Sequence, residues 1–152
     1  MIRHLLIIMT LIFGLTAGAS AQPRGGHGDR EKMMKELREY KIKFLAQEMN
    51  LEDGQKERFV ELYNEMSDKR ADCMRDARNM ERELKKKNGA TEADYQAVTD
   101  AMAKAKARDA AIEKNYDDQF AKFLSQKQIF KMKEAENEFR KKMSEMRQKR
   151  NR

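Results

Sequence analysis

The chain has 152 residues, 39% of them charged, with a net charge of +7, one cysteine and one proline. That length suits one domain, and a lone cysteine excludes an intrachain disulfide. The charge-rich, proline-poor make-up points away from a β-sheet fold and toward long helices, and regular apolar stripes weigh against disorder.

Residues 1–21 read as a secretory leader. Arg3 gives a positive start, Leu5 to Leu15 is almost continuously apolar, and Ala19-Ser20-Ala21 is a small-residue cleavage site. The apolar run is short for a membrane span and a Gly-rich segment follows it, so no stable membrane insertion is expected after cleavage. Cleavage after Ala21 removes Arg3 and leaves a net charge of +6. Export also excludes cytoplasmic nucleic acid as the natural partner. Residues 22–28 contain Pro23 and three glycines and read as a flexible tail. His27 is the only histidine left after cleavage, too little for a metal site by itself.

A first helix is expected from about Asp29, which can cap it, to Met49, with Met33, Leu37, Tyr40, Phe44 and Leu45 on one face. Leu51-Glu52-Asp53-Gly54-Gln55 is a break and a restart. The second and third helices run to about Lys87 and from Thr91 to about Phe123, folded about Asn88-Gly89. In the first arm Phe59, Tyr63, Met66, Arg70, Cys73, Ala77, Met80 and Leu84 step by fours and threes. In the second, Tyr95, Val98, Met102, Ala105, Asp109, Ile112, Tyr116 and Phe120 do the same. Two heptad seams predict an antiparallel hairpin.

Arg70 and Asp109 are the only charged residues in those seams, and the fold sets them opposite each other. An ion pair is expected between them. Removing one partner would cost about 3–5 kcal/mol if the pair is buried, and about 1 kcal/mol or less if it is wet.

Leu124-Ser125-Gln126-Lys127-Gln128 is a second restart, in which Ser125 and Gln128 can satisfy each other's backbone amides. A fourth helix carries Ile129, Met132, Phe139, Met143 and Met146 on one side. It ends in a basic run, with residues 148–152 read as a tail. No catalytic constellation is found: after cleavage there is no histidine–serine–aspartate set, no phosphate loop and no histidine pair for zinc. No cofactor and no metal site is expected. Cys73 reads as a small buried hydrophobe, and Met74 beside it diverges at the next helical position.

Leu124-Ser125-x-x-Gln128 is close to a Leu-Thr-x-x-Gln motif, and Leu51-Glu52-x-x-Gln55 is a second copy with glutamate in the capping place. A leader, four helices and two such restarts resemble the Spy/CpxP family of periplasmic stress proteins and chaperones, over Glu31 to Arg147. The resemblance implies an all-α, thin, curved, dimeric protein over residues 29–147. It would act in the periplasm without ATP, as a holdase for unfolded protein clients rather than as an enzyme. Related branches sense envelope stress or bind metals, which is the alternative function. Length agrees independently with a thin shape, since a helix of some 36 residues is about 54 Å long. The client-binding candidates are Met33, Met34, Met143 and Met146, with the basic Arg140, Lys141 and Lys142.

Overall fold

The computed structural model describes residues 27–150. The expected leader, residues 22–26 of the expected tail and the last two residues lie outside it. The described residues form four α-helices and no strand: α1 (His27–Glu48), α2 (Asp53–Lys86), α3 (Glu92–Phe120) and α4 (Gln126–Arg150). By internal contacts the chain divides after Glu36. Residues 28–36 of the first unit are helical and exposed, Met33 and Met34 among them. All packing described below lies within the second unit, Leu37–Arg152.

The helix ends follow from local chemistry. α1 begins at His27, so Asp29 lies in its first turn rather than capping it, where a carboxylate still favours the positive helix end. Residues 27 and 28 are therefore helix, not tail. At its other end the amide of Asn50 donates to Gln47 and that of Leu51 to Ala46, a Schellman closure. Asn50 takes the left-handed conformation this closure requires, at φ 50°, one that asparagine tolerates better than most residues. Leu51, the residue after it, is buried.

α2 stops at the Lys-rich turn, and Gly89 supplies φ 72°, which a side chain would resist. Thr91 and Asp94 form a reciprocal capping box at the start of α3, Thr91 N to Asp94 Oδ2 at 2.9 Å and Asp94 N to Thr91 Oγ1 at 3.3 Å. Asp94 also accepts from Lys87 at 2.7 Å across the turn. With Lys87 as the largest influence and Thr91 next, its carboxyl is held down at about 2.

α3 ends three residues before the expected Phe123. The Phe120 carbonyl accepts from both Phe123 and Leu124, tightening the chain into a turn. α4 instead runs on through Lys149 and Arg150, where a loose tail was expected from residue 148. Cations in the last turn suit the negative helix end.

The hairpin of α2 and α3 keeps one register along its length. Lys87 meets Asp94, the Cys73 thiol lies 3.5 Å from the Ala105 carbonyl, Arg70 meets Asp109, and the Phe59 ring stands 5.7 Å from Phe120. α4 lies beside the first half of α2 and runs the same way. Gln55 bonds Gln128 and Tyr63 bonds Glu136, the same separation of 73 residues in both pairs. Phe139 of α4 then packs between Tyr40 and Phe44 of α1, both ring centroids at 6.1 Å. Leu45, Phe59, Phe120 and Met132 have no solvent exposure and mark the centre of this core.

The seam is not closed everywhere. Met80 and Tyr95 hold seam positions near the hairpin turn yet are exposed. A heptad pattern specifies one partner helix and does not determine whether anything else covers the same side chains.

Candidate functional site

The two restarts, 73 residues apart in sequence, meet in space. Leu51 and Leu124 are both buried. Beside them Gln55 Oε1 accepts from the Glu52 amide at 3.1 Å, and Gln128 Oε1 accepts from the Ser125 amide at 2.9 Å. Each glutamine thus caps its own helix while its amide nitrogen turns to the other copy. Gln128 Nε2 donates to Gln55 Oε1 at 2.9 Å, and Gln55 Nε2 donates to the Phe123 carbonyl at 2.9 Å and more distantly to Gln128 Oε1 at 3.4 Å. Ser125 adds its own cap, its Oγ accepting from the Gln128 amide at 3.2 Å. One side chain per helix start therefore does two jobs, closing a helix end and fastening α2 to α4.

Gln128→Ala removes an amide acceptor and a cross-helix donor together. It is expected to lower the unfolding free energy by about 1–3 kcal/mol, read from urea denaturation. Gln128→Glu keeps the acceptor and loses the donor, so it should fall between the two. Equal midpoints for all three proteins would show that the clasp carries no stability.

A second set of polar side chains crosses the body farther along. Arg70 binds Asp109 through two parallel bonds, Nε to Oδ1 at 2.7 Å and Nη2 to Oδ2 at 2.8 Å, and reaches Glu113 at 3.3 Å. The two side chains keep 30% and 24% of their exposure, so the pair is half-buried. Glu113 also accepts from Lys133 of α4 at 2.5 Å, and Lys133 reaches Asp117 at 2.9 Å. Hydrogen bonds from Arg70 hold Asp109 below the ordinary carboxylate range, and the bond from Lys133 does the same for Glu113. Burial acts to lower Lys133, but its two carboxylate partners outweigh that and raise it.

Nearby, Glu136 of α4 keeps only 11% of its side-chain exposure. It accepts from the Tyr63 hydroxyl at 2.5 Å and from Lys41 at 3.3 Å. Burial, then the charge of Glu136, pushes Tyr63 far above its usual range, so the phenol stays a donor. The Lys41 ammonium also stands over the Tyr63 ring at 5.2 Å. The sequence analysis singled out neither Lys41 nor Glu136. A glutamate flanked by Met132 and Phe139 on an apolar stripe was the available signal.

Residues 3–126 match the model of a family described as heavy-metal resistance. The chain belongs to that family. The match takes in most of the expected leader, the first three helices and the start of α4. No curated protein and no solved structure matches the chain.

The family raises the question of a metal. Among the described residues no three His, Cys, Asp or Glu side chains converge on one point. Cys73 is half-buried and its thiol is turned to the Ala105 carbonyl. The side chain of His27 lies outside the described residues.

The client-binding candidates differ in exposure. Met33 and Met34 are exposed, Met143 and Met146 half-buried. Arg140 and Lys141 are exposed, and Arg140 donates to Asn137 at 3.0 Å. Lys142, a candidate with them, is engaged. It pairs with Glu138 at 2.5 Å and stands 5.5 Å from the centre of the Phe44 ring. The turn spacing that sets it over Phe44 takes it out of the exposed run. The most exposed large apolar side chains in the second unit are ones the sequence did not flag. Phe130 is 61% exposed and Tyr95 52%, with Met80 and Val60 also open.

Proposed function

We propose that the protein is an ATP-independent holdase of the Spy/CpxP type, acting in the periplasm on unfolded proteins. The observation that carries this reading is the set of large apolar side chains left in solvent on charged helices: Phe130, Tyr95, Met80 and Val60, with Met33 and Met34. Isolated apolar contacts among charges suit weak, reversible capture of unlike chains better than a single shaped ligand. A net positive charge speeds the encounter with acidic clients, and salt should weaken that contribution. The two Leu-x-x-x-Gln restarts, the predicted leader and the family match support the assignment.

A metal-resistance or envelope-stress regulatory role is the second reading, favoured by the family match over residues 3–126. One experiment separates the two. The purified protein is added to an unfolding, aggregating client without nucleotide, and in parallel is titrated with divalent and monovalent soft metals by calorimetry. The holdase reading expects suppressed light scattering at near-stoichiometric protein. Stoichiometric metal binding with unchanged scattering would replace it with the second.

A further inference from the structure

We propose that the C-terminal half of α4 is a docking surface for an anionic lipid bilayer. Charge is segregated along this helix. In its first half Glu134, Glu136 and Glu138 are each engaged, by Lys131 at 3.0 Å, by Tyr63 and Lys41, and by Lys142. In residues 140–150 there are six cations and one acid, Glu145. Lys142 is spent on Glu138 and Phe44, whereas Lys141, Arg147, Lys149 and Arg150 are exposed and make no ion pair among the described residues. Helix-end complementation accounts for the last turn only. Lys141 lies six residues before Arg147, outside that turn.

The form of the cluster narrows the partner. Its cations are spread around the helix rather than lining a cleft, so a small anion would meet one or two of them at most. The helix has no aromatic residue after Phe139, which removes the stacking platform that single-stranded nucleic acid uses. No large apolar side chain is exposed between residues 140 and 150, Met143 and Met146 being half-buried. An unfolded protein would therefore find charge here but little to hold it. A bilayer rich in acidic headgroups needs only a cluster of long, flexible cations, each of which strengthens adsorption independently. No helix among the described residues is long and apolar enough to cross a membrane, so the contact is adsorption and not insertion.

The test is cosedimentation of the protein, as purified from cells that have exported it, with vesicles and no client present. Vesicles of phosphatidylcholine alone are compared with vesicles that also contain phosphatidylglycerol. Binding should require the acidic lipid and vanish in about 1 M salt, where screening is complete within about 3 Å. The variant Lys141→Gln, Arg147→Gln, Lys149→Gln, Arg150→Gln should bind tens of times more weakly, about fivefold for each of the two or three charges that can face a flat bilayer at once. A second variant, Lys104→Gln, Lys106→Gln, Arg108→Gln, Lys122→Gln, removes four exposed cations elsewhere and should bind much as the parent does. Equal losses in both variants would reduce the effect to net charge and overturn the assignment. So would equal binding to the two kinds of vesicle. A cluster variant that binds vesicles normally but no longer captures an acidic unfolded protein would give the patch to clients instead.

Discussion

Phe59→Ala is expected to cost about 3–5 kcal/mol, the largest effect of any single substitution argued for this protein. Phe59 has no solvent exposure, and its ring lies 5.4 Å from Tyr63 and 5.7 Å from Phe120. It sits one turn after Gln55, and Tyr63 and Phe120 border the cavity its loss would leave. Val60, its exposed neighbour, provides the contrast, since Val60→Ala should change stability by no more than about 0.5 kcal/mol. Urea denaturation followed by helical circular dichroism reads both. Similar midpoints for the two variants would mean that Phe59 is not at the centre of the core.

Asp109→Ala comes next, at about 2 kcal/mol, between the limits for a wet and a buried pair. The half-exposed geometry sets that value, and Glu113 remains 3.3 Å from the guanidinium to take part of the lost charge. Replacing both partners, Arg70→Met with Asp109→Ala, should recover part of the loss, because no charge is then left unpaired. The same carboxylates fix the direction of the pH dependence. Asp109 and Glu113 ionise more readily in the folded chain than in the unfolded one. Below the ordinary carboxylate range, about pH 4, the unfolded chain binds more protons, so stability falls as pH is lowered further. From neutral pH down to about 5 the melting temperature should hardly move on their account. Asp109→Ala should flatten the acid limb, and an unchanged limb would show that the pair does not contribute.

The hairpin was legible because a helix facing a single partner writes that partner into its spacing. Arg70 and Asp109 could be matched on the same ground, each being the lone charge in its seam. The capping boxes at Thr91 and Ser125 are local, spanning three residues, and needed no tertiary knowledge. What lay beyond the sequence depended on α4. Nothing in Leu51-Glu52-x-x-Gln55 or Leu124-Ser125-x-x-Gln128 announces that the two glutamines bond each other, since that requires α2 and α4 to start side by side. Glu136 was overlooked for the same reason, its partners Tyr63 and Lys41 coming from two other helices. Met80 and Tyr95 show the opposite limit: the period placed them in the seam, but it carries no information on whether a further helix covers it. Phe130 stands on the outward side of α4, where a helical period expects a polar residue, and that mismatch was the signal that could have found it.

Under the proposed function, uncovered apolar side chains on a charged helical body hold unfolded proteins. The most direct measurement is light scattering from an aggregating client, without nucleotide, in the presence of the parent protein or of the variant Tyr95→Ser, Phe130→Ser. Both positions are exposed, so the variant should keep the parent's helical spectrum and lose at most about 1 kcal/mol of stability. The holdase reading predicts that scattering is suppressed by the parent and largely restored with the variant. A folded variant that suppresses aggregation as well as the parent, or a parent that never suppresses it, would contradict the claim.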